Sequence, residues 1–374
     1  MLRNDLKYRS VFALSLMMML ILSACVMPAP APADAPAAEA TEAPAEEAAA
    51  EGEGEEMMGE ADLAAVKTYA IGNAENMKAG SAELLEIAQR YYDLASENDF
   101  DYAAALGANA EEIPGLVAAA QAAWLKTSEA YELDEGIVAG VPSLAYYDVL
   151  IDAGASAEED PEEALEWTLT LPDGTELVSP GNYFHSLLEP LLWQTNADYV
   201  VDVDGMLLPD ANLFLGTAEG LDAATQEMLD AVNAWEPTLS DAFTALVVMI
   251  PTMNEYFEQW KLSSFVSGES SEEAAFVGHS RLFDVVNILN GLDVTYQNVS
   301  VLVEGADADQ DAQIASGFED LMGYVGDLYG QEQGGTAFSP EEADLFGTEA
   351  QDKATALAGQ VSQAAALLEI EVQE

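Results

Sequence analysis

The sequence is poor in the residues on which most familiar chemistry depends. Its 374 residues hold one cysteine, two histidines and ten lysines and arginines against 69 aspartates and glutamates, a formal net charge of −59. A single cysteine, Cys25, excludes an intramolecular disulfide framework and a thiolate-rich metal site. The scarcity of Lys and Arg excludes nucleic acid as a partner and makes an anionic lipid surface a poor one, because both are bound by clustered cations. Walker-type phosphate loops, dinucleotide glycine fingerprints, a nucleophile-elbow serine and an HExxH helix are all absent. Solubility and salt adaptation are ordinary explanations for so much acid, and cations are its natural counterpart.

What is present begins with an address. Arg3, Lys7 and Arg9 precede a largely apolar run from Val11 to Leu22, too short to span a bilayer, and Leu22-Ser23-Ala24-Cys25 follows it. Small residues before a cysteine at that place resemble the lipobox of a bacterial lipoprotein, so residues 1–24 read as a signal peptide and Cys25 as the lipidated N-terminus. Its removal takes away three basic residues and one acid, leaving seven against 68, a formal −61. The next segment, to residue 62, is Pro, Ala, Glu and Gly without an aromatic side chain. It cannot bury enough surface to offset the entropy of ordering, and residues 25–62 are expected to be a disordered tether. The expected location is therefore outside the cytoplasm, lipid-anchored to a bacterial membrane at the cell surface or in the periplasm.

The rest of the chain has helical periodicity. Ile113, Val117, Ala120, Trp124, Thr127 and Tyr131 recur at steps of four and three, as do Leu84, Ile87, Tyr91 and Leu94 before them. Leu221, Thr225, Met228, Val232 and Trp235 repeat the pattern, and so do Leu357, Val361, Ala364 and Leu368. The expected fold is all-α, two helical bundles, over residues 63–265 and 266–374, with breaks at Pro237, Pro251 and "SSFVSGESS". Helix starts are predicted at Asp160-Pro161-Glu162-Glu163, at Ser339-Pro340-Glu341-Glu342, at Ser270-Ser271-Glu272-Glu273 and, more weakly, at Ser179-Pro180. Alternation around Pro172-Asp173-Gly174 predicts a small β-hairpin inserted between helices. "GADADQD", with Asp307, Asp309 and Asp311, begins like a calcium loop but lacks its glycine and its closing glutamate; it reads as a helix cap.

Candidate chemistry lies where acids occupy core positions. Glu135 is one turn beyond Tyr131 on the Trp124 seam, with Glu132 beside it. A carboxylate there must be paired, protonated, bound to a cation, or released into water by a helix end at Gly136. Lys126 is the only basic residue between Arg90 and Lys261, so many of these acids have no salt-bridge partner within that stretch. His185 and Glu189 are four apart, hence neighbours if their helix continues, and Pro190 threatens it by removing a hydrogen bond to Ser186. A lone histidine among leucines is by default a core histidine; beside carboxylates it suits iron, zinc, manganese or copper.

"AAWLKTSEAYELDEG", "SLAYYDVLIDAG", "NYFHSLLEPLLW", "GHSRLFDVVNILNGLD" and the closing "SPEEADLFGTEAQDKATALAGQVSQAAALLEI" resemble, in order and character, the imelysin family, and within it the EfeO/EfeM-type lipoproteins of iron uptake without a cupredoxin domain. The resemblance implies paired helical bundles outside the cytoplasm and a metal site in the N-terminal bundle. It places Glu132 and Glu135 on the family's Tyr-Glu-x-x-Glu motif, Asp148 or Asp152 on its aspartate, and His185 on its His-x-x-Glu motif. There Leu188 stands where the family has its acid, and Glu189 follows one later. His279 matches a histidine of the second bundle, while Arg281 and Phe283 replace the acid and tryptophan expected after it. The implied function is capture of iron or another divalent or trivalent transition metal for an iron permease, with a peroxidase-type protein as another partner. Two alternatives stay open: a non-metal adhesion or binding lipoprotein on a degenerate scaffold, and a metallopeptidase, for which the usual two-histidine helix is missing.

Overall fold

A stripe of apolar side chains at helical spacing is buried only against another element, and here the partners are other helices. The computed structural model describes residues 60–373 apart from Glu163 and Glu272. The signal peptide, Cys25 and the tether up to residue 59 lie outside the described residues. Asp62 accepts the Ala65 N–H and opens α1 (Leu63–Ser96); α2 (Tyr102–Ala108) and α3 (Glu112–Val138) follow. The short α4 (Ala145–Asp148) and α5 (Glu189–Leu192) flank two antiparallel strands, β1 (Thr168–Thr170) and β2 (Glu176–Val178). Strands β3 (Val200–Val203) and β4 (Met206–Pro209) form a second hairpin before α6 (Ala211–Ala234). Helices α1, α3 and α6 enclose one core, with Met77, Leu84, Trp124, Phe214 and Met228 fully buried.

The second core belongs to α7 (Leu239–Met249), α8 (Met253–Leu262), α10 (Arg281–Ala306), α11 (Ala308–Gln333) and α12 (Pro340–Leu367). The single turn α9 (Ser264–Ser267) follows α8. Phe243, Trp260, Leu289, Phe318 and Val361 fill this core. The fold is all-α, two helical bundles with small hairpins, and α3 packs against α10 where the bundles meet. Pro237 separates α6 from α7, and Pro251 lies in the 3-10 turn between α7 and α8. Among the described residues no helix is long and apolar enough to cross a membrane.

Local chemistry sorts the predicted starts. Ser339 and Glu342 form a reciprocal capping box with Pro340 in the first turn of α12, and Asp307 caps α11 by accepting from Asp309 and Gln310. Asp160 does not open a helix. Ala164 N–H bonds the Asp160 carbonyl for one turn only, after which the chain is drawn into pairing between the Trp167 carbonyl and Ser179 N–H. Ser270 opens none either; Ser271 and residues 273–280 stay irregular, for a reason given below. Ser179 yields its capping role to Asn182, whose side chain accepts from His185 and Ser186. The second hairpin was not expected; it turns on Asp204-Gly205, whose positive φ values of 52° and 89° match the turn that a two-residue hairpin prefers.

Candidate metal centre

Helix α3 does not stop at Gly136. It runs to Val138 against α10, which keeps Glu132 and Glu135 inside at 0% and 2% exposure instead of releasing them into water. Each is held on one side only. Ser128 Oγ lies 3.4 Å from Glu132 Oε1, and the Tyr256 hydroxyl donates to Glu135 Oε1. The other oxygen of each, Oε2, is buried without a hydrogen-bond partner.

Two π-helical turns carry the next ligands. Val149–Ala153 presents Asp152, and Tyr183–Leu188 presents His185. Such wide turns place one more residue per turn than an α-helix and recur at functional sites. In the first, Gly154 N–H reaches back to the Val149 carbonyl at 2.9 Å. In the second, Glu189 N–H bonds the Phe184 carbonyl. The break expected at Pro190 does not occur, because it falls in the first turn of α5, where a missing N–H costs little. Glu189 therefore comes alongside His185, with Oε2 2.7 Å from Nδ1.

Glu189 has a full set of donors. Its Oε2 accepts from Phe276 N–H at 2.8 Å, and its Oε1 accepts from Val277 and Gly278 N–H at 2.8 and 2.7 Å. Those three bonds hold residues 276–278 in an irregular, non-helical conformation and explain why no helix starts at Ser270. Phe276 is kept at φ +54°, an unusual conformation for an aromatic residue, with its ring 4.6 Å from the His185 ring and 4.6 Å from the Arg281 guanidinium. At Gly278 a Cβ would come within 2.9 Å of Trp124 and 3.0 Å of Trp193, so only glycine lets the backbone approach this closely.

With Nδ1 fixed on Glu189, the His185 Nε2 faces inward. It lies 3.0 Å from Asp152 Oδ1, yet the two are not aligned as a hydrogen bond and neither has another partner. Glu132 joins them: one ligand atom each from Glu132, Asp152 and His185 lies within 4.8 Å of the others. A second set, Glu135, Asp148 and Asp152, meets the same criterion. Sequence left Asp148 and Asp152 as alternatives; the fold brings both in, with Asp148 held by the Tyr131 hydroxyl at 2.6 Å.

His279 lies outside these sets. Its Nε2 is 2.9 Å from Ser128 Oγ, and its Nδ1 is 2.8 Å from Asp284 Oδ1. Asp284 also accepts from Arg281 Nη1 at 2.6 Å, and Arg281 Nε donates to Gln259. Arg281, Asp284, Tyr256 and Ser128 escaped sequence reasoning. Arg281 and Asp284 sit in the first turn of α10, 130 or more residues from the acids they face across the bundle boundary, so only their nearness to His279 could have flagged them.

Burial sets the protonation. It pushes Glu132 well above the usual carboxylate range, with Asp284 and Glu135 adding to the effect. Burial, then Asp152 and Asp148, carries Glu135 up to about 8, and burial with Asp152 carries Asp148 up to about 7 despite the Tyr131 hydroxyl. For His185 burial works against charge, but Asp152 and Glu189 outweigh it and bring the ring up to about 10. Glu189 and Asp284 are held low against the effect of burial, the first chiefly by His185 and the second by His279 and Arg281. A bound cation would take the place of the protons that burial keeps on these groups.

The sequence profile of one family, Imelysin (Peptidase M75), matches residues 87–368. No curated protein matches the chain.

Proposed function

This chain belongs to the imelysin family, and we propose that it captures a transition-metal cation outside the cytoplasm, iron foremost, and hands it to a membrane permease in the manner of the EfeO/EfeM-type lipoproteins. Cys25 would carry the lipid that keeps it at the membrane, and a peroxidase-type protein would be a second partner. The cation is cargo. One observation carries the reading: buried atoms of His185, Asp152 and Glu132 that make no aligned hydrogen bond converge, while Glu189 fixes the far side of the imidazole. Once a cation displaces the imidazole proton, that nitrogen with the carboxylate oxygens suits iron, manganese or zinc. A carboxylate behind the ligating histidine is the usual way to orient such a ring.

The depth of the three residues, none more than 6% exposed, favours a small ion over a polypeptide substrate. Elemental analysis of the full chain after loading with ferric citrate, manganese or zinc and desalting provides the test. Wild type retains metal and His185→Ala does not. No metal on wild type, or equal retention by the variant, overturns the proposal.

A further inference from the structure

We propose that the cluster binds two cations that share the Asp152 carboxylate. The inference rests on the metal reading above and adds a second position with its own ligand class. Two ligand sets are present, Glu132 with Asp152 and His185, and Glu135 with Asp148 and Asp152, and only Asp152 belongs to both.

The carboxylates are anchored so as to leave one face free. A hydroxyl holds each of the other three: Ser128 for Glu132, Tyr256 for Glu135 and Tyr131 for Asp148. Glu132 Oε2 and Glu135 Oε2 are buried without a hydrogen-bond partner, Asp152 Oδ1 has only the His185 Nε2 beside it at 3.0 Å, and Glu132, Glu135 and Asp152 are all at most 3% exposed. A single ion on the His185 set would use Glu132 and Asp152 and leave the Glu135 oxygen without a partner, which is costly in a buried site.

Charge points the same way. Glu189 is engaged by three backbone N–H groups and His185, and Asp284 by Arg281 and His279. Glu132, Glu135, Asp148 and Asp152 remain, with no Lys or Arg within salt-bridge distance of any among the described residues. Once cations displace the protons that burial keeps on Glu132, Glu135 and Asp148, four carboxylates balance two divalent ions. The first position offers one nitrogen and two oxygens, the second three oxygens, so the second takes a hard cation. Carboxylate-bridged ions lie roughly 3.5–4 Å apart in two-metal sites, close enough for the spins of two Mn²⁺ ions to couple.

The test is a Mn²⁺ titration of the full chain, read as ions per chain after desalting and as the electron paramagnetic resonance spectrum. Wild type should hold two ions with a spin-coupled signal. Glu135→Gln and Asp148→Asn should each hold one, uncoupled, while circular dichroism shows a helical content equal to wild type. One ion in wild type, unchanged in both variants and lost in His185→Ala, overturns the pair and leaves the metal reading standing. No retained Mn²⁺ in wild type overturns both.

Discussion

Metal-free protein should lose stability as pH rises from 5 to 8, and Glu135 should carry a large part of the loss. Its carboxyl has a folded value of about 8 against an ordinary 4.5. A group raised on folding holds its proton more tightly in the native state, so its contribution is intact below 4.5 and is lost as pH climbs through 8. At about 1.4 kcal/mol for each tenfold shift in proton affinity, the loss from Glu135 alone has a ceiling on the order of 5 kcal/mol. Asp148, raised to about 7, and His185, raised to about 10, act in the same direction. Urea denaturation of chelator-treated protein at pH 5 and pH 8, beside Glu135→Gln, isolates the effect. Wild type should weaken by several kcal/mol more than the variant over that interval. Cation at a thousandfold its dissociation constant should return ~4 kcal/mol to wild type at pH 8. Equal pH dependence in the two proteins, or a wild type more stable at pH 8 without metal, would refute the reasoning.

Other perturbations follow from the same contacts. Glu189→Gln replaces one carboxylate oxygen by an amide NH2, which then faces either Phe276 N–H or the N–H groups of Val277 and Gly278, and weakens the hold on His185; urea melts should show a loss of ~2–4 kcal/mol, and metal titration a roughly 10–100-fold weaker affinity. Gly278→Ala forces a methyl group against Trp124 and Trp193 and should cost ~1–3 kcal/mol in the same melts. Trp124 lies 6.1 Å from the His185 ring and 5.4 Å from that of His279, so paramagnetic Mn²⁺ or Fe³⁺ should quench its fluorescence. Trp124→Phe should remove most of that response although four tryptophans remain of the five. Arg281→Met strands Asp284 as a buried charge beside His279 and should destabilise the fold by ~3–5 kcal/mol in calorimetry-calibrated unfolding.

The helices were legible because seams such as Ile113 to Tyr131 keep the 3.6-residue period over several turns, and burial of that stripe leaves few alternatives. Glu132 and Glu135 were legible as acids out of place on the same seam. Three starts looked alike on paper, at Asp160, Ser270 and Ser339, and only Ser339 leads into a long helix. What separates them lies downstream: α12 has an apolar stripe to bury, the Asp160 segment feeds a hairpin, and the Ser270 segment has its N–H groups claimed by Glu189. The π turns at Val149 and Tyr183 left no pattern to read, since a shift of one residue in hydrogen bonding follows from tertiary fit. That is why Pro190 looked like a threat to His185 and proved compatible with it. Arg281 and Asp284 were hidden for a related reason, as their meaning depends on α10 packing against α3.

Anomalous diffraction from crystals soaked in Mn²⁺ or Fe³⁺ tests the central claim most directly. The account predicts a peak bonded to His185 Nε2 and to oxygens of Asp152 and Glu132 at roughly 2.0–2.2 Å. Peaks confined to the exposed carboxylates of the surface, with none against His185, would contradict it.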